Sequence, residues 1–239
     1  MLIDFYENIH RMPVGKVFTT SDVMGDAKSM ASANQLLGKL VESGVLCRAG
    51  KGRYYKPEMS EFGVVPLETR ELVKDLLTKS GQPIAYISGL NALNELGLTT
   101  QVPADITIAC ENEKKAIFRN QIRVRFIKQP NNITKNNIQL LRLLDCLRFI
   151  KKIPDNAVDG AFRRMLYLIG KLNDTQRGQL IRLTVKYTPQ VRALIGAIIE
   201  QYYPNQDVTA LQLSLNGLTK YKLGICDELL PNKTKWNIV

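Results

Sequence analysis

A chain of 239 residues has room for one large domain or two ordinary ones. With 45% hydrophobic and 23% charged residues, it has the balance of a folded protein with a core, which excludes disordered and fibrous classes. No apolar run approaches the roughly 20 residues that a membrane helix needs, and Met1-Leu2-Ile3-Asp4 lacks a basic-then-apolar leader, so the reading is cytoplasmic with no membrane association. The net charge of +11 points to a polyanionic partner.

Leu2, Ile3, Phe5, Tyr6 and Ile9 recur at helical spacing and predict a helix over 2–12, stopped by Pro13. Val17-Phe18-Thr19 reads as a short strand. Thr19-Thr20-Ser21-Asp22 offers N-caps for a short helix over 20–25. After the Gly25-Asp26 turn, a longer helix is expected over 28–43, closed by Ser43-Gly44. Val45 to Arg48, the turn Ala49-Gly50-Lys51-Gly52 and Arg53 to Lys56 read as a hairpin ended by Pro57. Helix, strand, helix, turn, helix and hairpin in that order make a winged helix-turn-helix, assigned to residues 1–60.

Residues 57–65 read as a linker. Pro66 is expected to open a helix running from Leu67 to Lys79, and a second helix is expected from Ile84 to Leu96, ended by Gly97. Period-two alternation predicts strands at 105–109 and 122–127, with a third at 115–119. Residues 131–137 form a polar loop. A helix over 138–153, apolar nearly all round, is expected to be buried. Further helices are read at 157–171, 174–186, 189–202 and 207–214, before a mostly irregular tail. The fold class is therefore α+β and helix-rich, with a second domain over 66–239 that combines a small β-sheet (105–128) and a helical part (138–214).

The charge is zoned. Residues 28–56 carry six Lys or Arg against the single acid Glu42, residues 61–110 carry three against six acids, and residues 111–155 carry eleven against four. On the helix at 28–43, Met30, Ala33, Leu36, Leu37, Leu40 and Val41 gather on one side, and Lys28, Ala31, Ser32, Gln35, Gly38 and Lys39 on the other. Small residues let a helix backbone sit deep in the major groove, Gln35 has the geometry to pair with adenine, and Ser32 can donate or accept at any base edge. The expected DNA-binding set is Lys28, Ser29, Ser32, Gln35 and Lys39 on the helix, with Arg48, Lys51, Arg53 and Lys56 around the hairpin. Arg119, Arg123, Arg125 and Lys128 are a candidate extension of that contact.

Other chemistries find less support. His10 is the only histidine and has no nucleophile motif with it. Cys47, Cys110, Cys146 and Cys226 lack metal-ligand spacing and read as reduced thiols in or near the core. No phosphate-cradling or dinucleotide loop is present. Asp105, Glu113 and Lys115 loosely resemble the layout of the PD-(D/E)xK nucleases, where two carboxylates hold Mg²⁺ and a lysine helps to activate water, but the Glu falls in a turn-like stretch. A nuclease and a winged-helix scaffold for another protein are the two alternatives. The main reading assigns no catalytic residue, cofactor or metal.

Two stretches resemble the AbiE-type antitoxins, AbiEi-like proteins of type IV toxin-antitoxin systems. The first runs from Phe18-Thr19-Thr20-Ser21-Asp22-Val23 to Gly50-Lys51-Gly52-Arg53-Tyr54-Tyr55. The second is Tyr86-Ile87-Ser88-Gly89-Leu90 through Gly97-Leu98-Thr99-Thr100-Gln101-Val102-Pro103. Together they cover about residues 15–150. The tail, with Leu215 to Ile225 and Lys235-Trp236-Asn237-Ile238, resembles one branch of such proteins. The resemblance implies a DNA-binding autorepressor that acts on its own operator. It also implies an antitoxin that opposes a nucleotidyltransferase-like toxin without a stable complex. By the same resemblance, Ser88-Gly89 is either an antitoxin surface or a packing device.

Overall fold

The computed structural model describes residues 2–24 and 29–239. In chain order the elements are α1 (Leu2–Arg11), β1 (Phe18–Thr19), α2 (Thr20–Val23), α3 (Met30–Glu42), β2 (Cys47–Gly50), β3 (Arg53–Tyr55), β4 (Met59–Ser60), β5 (Gly63–Val64) and α4 (Thr69–Leu77). Then come β6 (Thr78–Lys79), β7 (Gln82–Pro83), β8 (Ala85–Ser88), α5 (Gly89–Glu95), β9 (Ile106–Cys110), β10 (Ile117–Arg119) and β11 (Ile122–Lys128). The remainder is helical: α6 (Ile138–Arg148), α7 (Val158–Gly170), α8 (Asp174–Thr184), α9 (Pro189–Tyr202) and α10 (Thr209–Leu213), with 3-10 turns at Ile150–Lys152 and Lys233–Trp236. The fold is mixed α+β, and no described helix is long and apolar enough to cross a membrane.

The contacts divide the chain into two units. The first takes residues 1–76 together with 117–124, and the second takes 77–116 and 125–239. The expected boundary at 60 falls inside the first unit. The physical reason is α4. Its Glu71 accepts from the Val17 backbone N–H at 3.2 Å and pairs with Lys16 at 3.0 Å, which ties the helix to the chain before β1. Burial raises the Glu71 carboxyl, but bonds from Lys16, Val17 and Lys74 outweigh it and hold the pKa below the ordinary glutamate value.

The first unit has a three-stranded antiparallel sheet in the order β1-β3-β2, with Phe18 opposite Tyr54 and Cys47 opposite Tyr55. A bulge between Arg48 and Gly50 shifts the register. Phe5, Ile9, Phe18, Val23, Ala33, Leu37, Leu46 and Tyr54 form its core. Residues 57–65 are not the plain linker that was expected. They close a small hairpin in which Met59 pairs with Val64 and Ser60 with Gly63. The turn is held by Ser60, whose hydroxyl donates to the Gly63 carbonyl at 3.0 Å and accepts the Phe62 N–H at 3.2 Å.

The second unit pairs β8 antiparallel with β9, Tyr86 opposite Ala109 and Ser88 opposite Thr107. The helix expected from Ile84 to Leu96 is a correction, because Ala85–Ser88 is a strand and only Gly89–Glu95 is helical. Ala85-Tyr86-Ile87 fits a half-buried pleated position better than a helix face. Gly89, at φ +60°, then supplies the sharp change of direction. A Cβ there would lie 2.8 Å from the Thr107 side chain, so β9 also demands glycine for its close approach. The core of this unit is built largely from α6 and α9. Leu140, Leu141, Leu143, Leu144 and Leu147 are buried on α6, and every residue from Ala193 to Ile199 is buried on α9. The expected start of the preceding helix at Pro66 is also corrected, since α4 begins at Thr69.

Candidate nucleic-acid interface

The surface chemistry of the first unit is set by α3. Ser29 caps it, accepting the Ser32 N–H at 3.2 Å, and the two hydroxyls lie 3.0 Å apart. Ala33 and Leu37 are fully buried, which fixes the rotation of the helix about its axis. The opposite side, with Ser32, Gln35 and Lys39, is exposed, as are Ser29 and Ala31. Met30, read as inward-facing, is instead 46% exposed at the first turn. Asn34 was assigned no role from the sequence. Its carboxamide oxygen accepts from the Thr20 hydroxyl at 2.7 Å and locks α3 to α2. Asp22 caps the shorter helix by accepting the Thr19 N–H at 2.7 Å. Lys28 lies outside the described residues.

The hairpin cations divide into two kinds. Lys51 is exposed at the turn. Arg48 is exposed on β2, with its guanidinium 6.0 Å from the centroid of the Tyr54 ring. Arg53 and Lys56 are engaged within the unit. The Arg53 guanidinium pairs with Asp75 of α4 at 2.5 Å, and the Lys56 ammonium donates to the His10 carbonyl at 2.5 Å. Among the described residues, Lys39, Arg48 and Lys51 make no ion pair.

The candidate extension divides in the same way. Arg119 pairs with the same Asp75 at 3.0 Å and packs against Gly50, where an added Cβ would come within 3.4 Å of its guanidinium. It is therefore a brace behind the hairpin. Arg123 is exposed on β11, between Ile122 and the buried Val124. In the second unit Arg125 pairs with Asp105, and Lys128 is exposed at the end of the strand. Asp75, the acceptor shared by Arg53 and Arg119, carried no sequence signal, because nothing local marks a partner 44 residues away.

The other sequence candidates have plain surroundings. Asp105 is held by Arg125, while Glu113 and Lys115 are exposed. No three His, Cys, Asp or Glu residues come together among the described residues. All four cysteines are free thiols, Cys110 and Cys146 buried and Cys47 and Cys226 half-buried. Burial pushes the Cys146 thiol up to about 12, so it is inert at neutral pH. Ser88 is fully buried and Tyr86 nearly so, while Ile87 and Gly89 between and after them are half-buried.

Comparison with known proteins adds the family and the fold. The model of a family of unknown function, DUF6088, matches residues 4–177. No curated protein matches the chain. The crystal structure of the RV2827C protein from Mycobacterium tuberculosis is similar, with a TM-score of 0.55 at 13% identity, over 91% of this chain and 82% of that one. At that identity the likeness is one of fold alone.

Proposed function

Starting from a chain that belongs to DUF6088, a family whose function is unknown, we propose that it binds double-stranded DNA through a winged helix-turn-helix in its first unit and acts as a transcriptional regulator. The observation that carries this reading is the solvent face of α3. Ser29, Ser32, Gln35 and Lys39 are exposed there, opposite the buried Ala33 and Leu37. A groove-reading helix needs that combination of a packed back and a front of small polar groups with a cation. The order α1, β1, α2, α3, β2, β3 is that of a winged helix, and β2-β3 is its wing. Arg48 and Lys51 are then the backbone-contacting cations, and Gln35 and Ser32 the base readers. Arg53, Lys56 and Arg119 hold the wing in place. The resemblance to AbiEi-like antitoxins extends the proposal to repression of its own operon and to opposition of a toxin encoded beside it.

Fluorescence anisotropy with the duplex upstream of the gene tests it. The protein should prefer that duplex over a scrambled one of equal length, and affinity should fall steeply as salt rises. Gln35→Ala should narrow the preference by about tenfold, while Lys51→Ala should weaken both duplexes alike and reduce the salt slope by about one. Equal affinity for the two duplexes would defeat the regulator reading. Indistinguishable behaviour of the two variants would defeat the division between helix and wing.

A further inference from the structure

We propose that the β4-β5 hairpin is a dimerisation arm, and that it docks on a second copy of this chain. The hairpin contributes no side chain to the core of the first unit. Its Phe62 is 99% exposed, Met59 67% and Val64 48%. Met59 and Val64 are ladder partners, so their side chains share one face of the hairpin, and Phe62 sits at its turn. Val14, also more than half exposed, pairs with Lys56 at the root of the arm. A lone exposed apolar side chain is ordinary. A short hairpin that presents three, with a fourth at its root, marks a protein contact.

Charge selects the partner. Between Lys56 and Arg70 the chain carries Glu58, Glu61 and Glu68 and no Lys or Arg, in a protein of net charge +11. Glu58 and Glu61 are exposed on the arm, where a phosphate backbone would repel them. The root carries the opposite sign. Lys56 donates its ammonium to the His10 carbonyl and has no carboxylate partner among the described residues. Lys16, two residues after Val14, keeps half of its side chain in solvent while it pairs with Glu71. An acidic apolar arm and a basic apolar root on one surface are self-complementary. A two-fold axis sets the arm of each copy on the root of the other, so every contact is made twice.

The arm is also built in advance. The Val65 N–H donates to the Glu58 carbonyl at 2.8 Å, and the Ser60 hydroxyl clasps the turn, so little ordering opposes docking. Neither strand pairs with a third among the described strands, which leaves the backbone edges of the hairpin open as well. Phe62 alone offers roughly 200 Å² of contact surface, and reciprocal exchange doubles it. The whole contact is on the order of 1,000 Å², at the small end of specific interfaces, which fits a dissociation constant in the micromolar range. Joined to the regulator reading, such a dimer presents two copies of α3 to two half-sites.

Sedimentation velocity on the full chain, without nucleic acid and from low micromolar to about 200 μM, tests the arm. The parent should pass from monomer to dimer over that range. Phe62→Ser should weaken the dimer about tenfold or more, through loss of the aromatic anchor. Glu58→Lys combined with Glu61→Lys should weaken it too, because like charges then meet at the root. Phe62 is solvent-exposed in the monomer, so Phe62→Ser should keep the parent's melting temperature at concentrations where the parent is monomeric. Phe118→Ser, at another exposed phenylalanine of the same unit, should leave dimerisation unchanged. A parent that stays monomeric at the highest concentration would overturn the proposal. So would a dimer that Phe62→Ser leaves intact, or one that Phe118→Ser dissociates equally. No DNA is present, so the two readings fail separately: a dimer that ignores duplex DNA keeps the arm, and a DNA-binding monomer removes it.

Discussion

Asp145 is 2% exposed, at the centre of the second unit. Tyr86 and Ser88 donate their hydroxyls to one of its oxygens at 2.7 Å, and Tyr187 donates to the other at 2.9 Å. Gln129 donates to both tyrosine oxygens, at 2.6 and 2.8 Å, and its own carbonyl accepts from Asn131 at 3.0 Å. Burial raises the Asp145 pKa, and the three hydroxyl donors offset only part of that rise. A carboxyl that holds its proton more tightly folded than unfolded favours the folded state at low pH. That advantage is lost as pH climbs from the unfolded value of about 4 through the raised folded one. Asp145→Asn does not titrate, so the parent should gain stability relative to it when urea unfolding is moved from pH 8 down to about pH 4, the unfolded value. An unchanged difference would remove the burial argument. Asp145→Ala strands three buried hydroxyls and should cost roughly 3 kcal/mol or more at either pH.

At the level of elements, the sequence was most legible where one face of a regular pattern is buried. α3 fell within a residue or two of its expected ends because Leu37 and Ala33 mark its inner side and Ser29 caps it. The strands at 106–110 and 122–128 were legible through strict alternation. Ala85–Ser88 was not, because four residues cannot distinguish period two from the first turn of the helix that follows. The deciding contact, Thr107 against Gly89, comes from a strand eighteen residues later. Of the candidate site, exposure on α3 was readable from periodicity. The fates of Arg53, Lys56 and Arg119 were not, because each depends on a partner remote in sequence. Two substitutions probe these elements by thermal unfolding. Ser29→Ala should cost about 1 kcal/mol through loss of the cap. Gly89→Ala should cost more, since it adds a clash to a left-handed backbone; a smaller loss than Ser29→Ala would contradict the strand-to-helix turn described here.

Across the whole molecule, the tail read as mostly irregular proves to be part of the core. Trp236 and Ile238 are fully buried, and a Cβ on Gly196 of α9 would fall 2.0 Å from the Trp236 ring. Glu200 gathers the indole N–H at 2.9 Å, Asn232 at 3.1 Å and Lys235 at 2.5 Å. Burial pushes its carboxyl up, and these three donors hold it below the ordinary value. Gly196→Ala should therefore destabilise by about 2 kcal/mol or more through overpacking. A chain ending at residue 214 should lose cooperative unfolding of the second unit in calorimetry. A tail that could be removed without change in the melting profile would refute its place in the core.

The braces behind the β2-β3 hairpin also set an order in time. Arg53 meets Asp75 soon after the first stretch of the chain is made, but Arg119 belongs to a segment that joins the same unit from beyond residue 116. At a synthesis rate of roughly 5–20 residues per second, the ribosome delivers that segment several seconds after residue 76. During this interval the nascent unit holds its carboxylate with one arginine instead of two. It reaches its finished form only when the hairpin of β10 and β11 has emerged, so a nascent chain stalled before that point carries an unfinished version of the surface proposed to read DNA.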